Sequence, residues 1–137
     1  DDIQENIESF IYRCLEIKRD VVSKDERDLG ERHILNFGHT VGHAVEVLSE
    51  FEFLHGEAIS VGMVSVTNGL VQKRILDVLN KFSLPTHCNF KLSEVIDKIK
   101  NDKKVLGDKI RIILLKDIGE AYIKEININE LENYIRM

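Results

Sequence analysis

Apolar residues from Ile3 recur at Ile7, Phe10, Ile11, Cys14, Leu15, Val21 and Val22, close to the three-and-four spacing of one helical face. Asp1 and Asp2 are suited to cap its start. The spacing predicts an amphipathic helix with Cys14 in the core. The next stretch, SKDERDLGER over 23–32, carries seven charges in ten residues and keeps no period, which predicts a solvated loop.

Val41, Ala44, Val45, Leu48 and Phe51 then fall on one side of a second helix that ends in the acidic, aromatic SEFEF. From Gly56 the chain is apolar almost all round, through Ala58, Ile59, Val61, Met63, Val64, Val66, Leu70 and Val71, as a helix central to a bundle would be. A short helix over Ile75–Phe82 stops at Leu84-Pro85, and another covers Leu92–Ile99, with Ser93 or Asn89 near its start. IRIILL and AYIKEI flank a turn at Lys116–Glu120 containing Gly119 and predict a β-hairpin. Asn129 with Glu132 resembles a capping box for a closing helix through Ile135. The fold expected is mainly α, a single helical bundle-like domain over 1–137 with one small β-hairpin near the C-terminus.

Composition supports a folded core. Of 137 residues 43% are apolar, and only one is Pro. A chain of this length buries roughly two thirds of its unfolded surface, so neither disulfides nor a structural metal is needed for folding. A net charge of −5 opposes broad attraction to nucleic acid or anionic lipid. No apolar run approaches the roughly 20 residues of a membrane helix, and no targeting signal is visible. Cys14 and Cys88 lack any paired spacing and read as reduced thiols of a cytoplasmic protein. Asp1 in place of Met suggests a piece excised from a longer chain.

The chemistry concentrates in LNFGHTVGHAVEVLSEFEFLHGEA. His39 and His43 are four apart, so on a helix they project from neighbouring positions. Two such histidines are equally compatible with local structural hydrogen bonds. His55 falls just before a new helix, where unpaired amides and the helix dipole disfavour the protonated ring and favour the neutral imidazole a metal needs. If the second and third helices form an antiparallel hairpin, the connection must bend for His55 to approach His39. A catalytic zinc takes three protein ligands and an open position, and Glu46 or Glu57 can supply a carboxylate, or else act as solvated or capping side chains. Lys18, Arg32, Asn36 and His43, with Lys103 and Lys104 in a separate loop, form a possible anion site if the fold gathers them. His33 and His87 have no patterned companions and read as non-catalytic. The glycines near Gly38 and Gly42 miss the GxGxxG spacing of a dinucleotide site, and there is no GxSxG nucleophile motif.

KRDVVSKDERDLGERHILNFGHTVGHAVE, followed by FLHGEAISVGM and NDKKVLGDKIRIILLKDIGEA, resembles 3-dehydroquinate synthase over essentially the whole chain. The match is to that family's C-terminal, mainly helical domain. The N-terminal nucleotide-binding domain has no counterpart in these residues. The resemblance implies that His39 and His55 are metal ligands, with zinc or cobalt bound, while His43 reaches the substrate phosphate. It implies substrate contacts for Arg32, Asn36, Lys18 and one or both of Lys103 and Lys104, with catalytic roles at His43, Lys18 and Asp28. Asp28 stands where the family commonly has Glu, one methylene longer.

The family's third metal ligand is a Glu in an upstream GxAExxK segment that these 137 residues do not include, so the resemblance implies an incomplete metal site here. The reaction implied is conversion of 3-deoxy-D-arabino-heptulosonate 7-phosphate to 3-dehydroquinate and phosphate in the shikimate pathway, with NAD bound mainly by the other domain. A homodimer is implied for the full-length protein, and no turnover for the piece alone. A sibling sugar phosphate cyclase would share the metal histidines. A metal-dependent alcohol dehydrogenase fits less well, given the phosphate contacts at Asn36 and His43. A helical protein-interaction module with structural histidines is the reading from another class.

Overall fold

The computed structural model describes residues 5–27, 30–103 and 107–137, and it divides into two units, Asp1–Leu35 and Asn36–Met137. In the first unit, α1 (Ile7–Lys24) follows the predicted period and ends at Asp25, whose amide bonds back to the Val22 carbonyl at 3.1 Å. Lys24 in its last turn suits the negative end of the helix dipole. None of its residues is buried, and Cys14 is exposed. This corrects the expectation of a core thiol. Periodicity places Cys14 correctly beside Phe10, Ile11 and Leu15, but that stripe is itself about half exposed, at 49%, 53% and 60% for the three neighbours.

In the charged run after α1, the described residues 25–27 and 30 form no helix or strand, as expected of a loop, and Asp28 and Leu29 lie outside the described residues. Asp25 Oδ2 accepts from the amides of Gly30 at 2.8 Å and Arg32 at 3.1 Å, and a 3-10 turn covers Glu31–Asn36.

The second unit carries α2 (His39–Leu48), α3 (His55–Ser65), α4 (Gly69–Lys81), α5 (Leu92–Lys103), β1 (Lys109–Asp117), β2 (Glu120–Asn127) and a 3-10 turn over Ile128–Asn133. The architecture is mainly helical with one antiparallel hairpin near the C-terminus, as the sequence pattern predicts. Its core joins Val41, Ala44 and Val45 of α2 to Ala58 and Val61 of α3. Val95, Ile96 and Ile99 of α5 and Ile110, Ile112 and Ile126 of the hairpin complete it. No helix among the described residues is long and apolar enough to cross a membrane.

Three boundaries differ from the pattern. The apolar run from Gly56 is two helices, because Thr67 turns its hydroxyl onto the carbonyls of Met63 and Val64, at 3.0 and 3.1 Å, and ends α3. The following helix therefore begins at Gly69 rather than Ile75. α2 stops at Leu48, so Phe51 lies in a turn at 67% exposure instead of on the apolar face. The N-x-x-E pattern occurs twice near the C-terminus, and the upstream copy is the cap. Asn127 ends β2 in extended geometry, its side chain accepts from the Asn129 amide at 2.9 Å, and Glu130 accepts from the Asn127 amide at 3.0 Å.

α4 ends as its sequence suggests, with a local substitution of roles. Ser83 takes the left-handed conformation (φ 54) usually given to Gly, and Leu84 returns its amide to the Leu79 carbonyl at 2.9 Å before Pro85. In the hairpin, Ile113 pairs with Ile123 and Leu115 with Ala121, and Gly119 at φ +85 closes the turn.

Candidate metal centre

The site is built by the α2–α3 pair. Gly38, Gly42 and Gly62 remove side chains from the crossing. A Cβ on Gly42 would sit 2.6 Å from Ile59 Cδ1, and one on Gly38 would sit 2.8 Å from the Met63 amide. Position 38 thus faces 63 and position 42 faces 59, the order of an antiparallel hairpin, which brings the start of α3 back toward residue 46.

The reversal is made in the acidic connection. Glu50 and Phe51 both adopt positive φ, 52 and 64. The Glu46 carbonyl accepts from Ser49 Oγ at 2.9 Å and from the Phe51 amide at 3.0 Å. Two consecutive left-handed residues are costly for side chains other than Gly, and the hydrogen bonds hold them.

His39, His43 and Glu46 follow one another at helical spacing along one face of α2, and His55 opens α3 opposite them. The three imidazoles form a near-equilateral group, with ring centroids 5.3 Å apart for His39 and His43, 5.6 Å for His39 and His55, and 5.5 Å for His43 and His55. One ring nitrogen from each lies within 4.8 Å of the others. Ligands on a tetrahedral zinc at roughly 2.0–2.1 Å stand about 3.4 Å apart, so the rings need a modest inward movement to share an ion.

Two of the rings have their other nitrogen committed. His39 Nδ1 lies 3.2 Å from the Phe37 carbonyl, and His55 Nδ1 lies 3.1 Å from Glu46 Oε2. A carbonyl or carboxylate oxygen can only accept, so Nδ1 carries the proton and donates, leaving the Nε2 lone pair for an ion. This donor set, imidazoles whose Nδ1 meets an oxygen while Nε2 is left for an ion, fits zinc or cobalt. His39 is partly buried while His43 and His55 are exposed, so the group opens to solvent on one side.

The remaining predicted residues fall as follows. Glu57 accepts from the Leu54 amide at 2.8 Å and caps α3 rather than ligating. Asn36 is exposed, three residues before His39. Lys18 is on α1 and Arg32 in the 3-10 turn of the first unit, where Arg32 Nη1 donates to the Glu26 carbonyl at 3.2 Å. Lys103 is the last residue of α5. Asp28 and Lys104 lie outside the described residues. His33 and His87 are not members of the three-histidine group. Sequence spacing offered Glu46 as a possible ligand or a solvated side chain; its contact with His55 across the hairpin carries no sequence signal.

The family model for the 3-dehydroquinate synthase C-terminal region matches residues 1–105. The chain belongs to this family. A 3-dehydroquinate synthase of Clostridium perfringens (strain 13) is 43% identical, covering 96% of this chain and 41% of that protein. The Streptococcus mutans 3-dehydroquinate synthase is 36% identical over 98% of this chain and 41% of its own. The chain thus spans about two fifths of the length of the curated 3-dehydroquinate synthases it matches.

Among solved structures, 2-deoxy-scyllo-inosose synthase complexed with carbaglucose-6-phosphate, NAD+ and Co2+ superimposes with a TM-score of 0.77 at 24% identity. It covers 96% of this chain and 42% of that one. A second 2-deoxy-scyllo-inosose synthase structure gives 0.74 at 23%. At that identity the likeness establishes a shared fold.

Proposed function

We propose that this chain is the metal- and substrate-binding portion of a 3-dehydroquinate synthase, which converts 3-deoxy-D-arabino-heptulosonate 7-phosphate to 3-dehydroquinate and phosphate. The observation that carries the proposal is the convergence of His39, His43 and His55, with Nδ1 of His39 and His55 already occupied, in a chain of this family. Bound zinc or cobalt would supply Lewis acidity toward the substrate oxygen being oxidised, and NAD, held mainly by the rest of the protein, a temporary hydride acceptor.

In this reading His39 and His55 present Nε2 to the ion. His43 and Asn36 hold the phosphate, aided by Arg32 and Lys18, while Lys103 or Lys104 binds another part of the substrate. Asp28 stands where the family commonly has Glu and takes that catalytic position with one methylene less reach. Orientation of one substrate through oxidation, elimination, reduction and ring closure by the same set of side chains supplies much of the acceleration. The full-length protein acts in the cytoplasm as a homodimer.

The deciding experiment is a phosphate-release assay on the full-length protein with the heptulosonate phosphate, NAD and zinc or cobalt. The proposal expects release of one phosphate per 3-dehydroquinate. It also expects none from residues 1–137 alone, which carry no dinucleotide-binding motif. Turnover of a different sugar phosphate instead would make the protein a sibling cyclase.

A further inference from the structure

Glu46 lies one helical turn beyond His43, on the same face of α2. Its Oε2 stands 3.1 Å from Nδ1 of His55, which belongs to the next helix. The carboxylate is well shielded, with only 19% of its side chain exposed against 54% for His55. Its backbone carbonyl separately accepts from Ser49 Oγ and the Phe51 amide, two of the hydrogen bonds that shape the 49–54 connection. Yet no Glu46 oxygen joins the group of potential ligand atoms formed by the three histidines, although carboxylates qualify for it.

We propose that Glu46 is a positioning residue. It acts through His55, holding that ring as the Nδ1–H tautomer with Nε2 turned toward His39 and His43. The role rests on the metal-site reading above and deepens it. His55 sits at the first turn of α3 with 54% of its side chain exposed, and the Glu46 carboxylate is the group that meets its Nδ1. His39 receives the equivalent help from the Phe37 carbonyl, a backbone group that no substitution can remove. Outer hydrogen bonds of this kind are typically worth a ten- to hundredfold change in metal affinity.

The test has two readouts, the imidazole tautomers of the 137-residue chain and the Co2+ affinity of the full-length protein. Long-range 1H–15N correlation of the imidazoles, without metal, should show His55 as the Nδ1–H tautomer in the native chain. Glu46→Ala should move it toward the Nε2–H form that free imidazole side chains favour, while His39 stays unchanged. Co2+ titration should show Glu46→Ala binding about 10- to 100-fold more weakly, with Glu46→Gln intermediate because its amide oxygen still accepts. An unchanged His55 tautomer in Glu46→Ala overturns the proposal. So does unchanged Co2+ affinity there while His55→Ala loses affinity, and in that case the metal site itself stands. Co2+ affinity insensitive to both Glu46→Ala and His55→Ala, or no Co2+ binding at all, contradicts the metal-site reading, and the tautomer result then decides the role of Glu46 by itself.

Discussion

Gly62 and Gly38 meet backbone to backbone where α3 crosses α2, and a Cβ on Gly62 would collide with the Gly38 carbonyl oxygen. That contact sets how closely the two histidine-bearing helices approach. Gly62→Ala is expected to cost at least about 1–3 kcal/mol in urea unfolding, the range for overpacking a tight interior. Gly56→Ala, in the same helix but with open space at its Cβ, should be neutral or stabilising by up to about 1 kcal/mol. Equal effects from the two would show that the crossing is looser than described.

His43 separates two roles. As a phosphate contact it should leave Co2+ affinity within a few-fold when replaced by Ala, while binding of a phosphorylated substrate analogue to the full-length protein falls tenfold or more. Calorimetric titration with each ligand reads both. A large loss of Co2+ affinity in His43→Ala would instead make it a third imidazole ligand, which its ring spacing also permits.

The duplicated N-x-x-E pattern gives a stability prediction. Asn127→Ala removes the side chain that accepts from the Asn129 amide and should cost about 1 kcal/mol. Asn129→Ala leaves that cap in place and should cost less. Chemical denaturation of the two variants under identical conditions checks the order.

Much of this architecture is legible in the sequence: the period of α1 marks a helix, and the period of α2, the all-round apolar α3 and the β-branched hairpin also report burial. The errors lie where one side chain decides a boundary. Thr67 divides a continuous apolar run, and Asn127 caps where strand geometry ends rather than where the last matching motif falls. Cys14 shows that a helix's apolar stripe reveals which residues share a face, without revealing whether that face is covered. At the site, spacing puts His39 and His43 on neighbouring positions of one helix face and leaves a metal role and a structural one equally open. The approach of His55 depends on left-handed residues Glu50 and Phe51, which have no glycine to announce them.

Burial pushes the Cys88 thiol above its ordinary range, opposed by a smaller contribution from a backbone hydrogen bond at Phe90. The folded chain therefore holds this proton more tightly than the unfolded chain does. Its effect on stability is nil below the unfolded thiol's pKa and destabilising as pH rises above it. Alkylation by iodoacetamide, followed by mass spectrometry, should label Cys88 more slowly than exposed Cys14 near pH 8, with the gap closing in denaturant. Equal native rates would contradict the burial.

The central claim is that His39 and His55 converge on one ion. Its most direct measurement is the visible absorption of Co2+ titrated into the native full-length protein and into its His39→Ala and His55→Ala variants. The account predicts a cobalt d–d band in the native full-length protein that each variant loses or shows only at far higher Co2+, with the metal-free fold intact. Bands of equal intensity and affinity in all three proteins would place the metal elsewhere and contradict it.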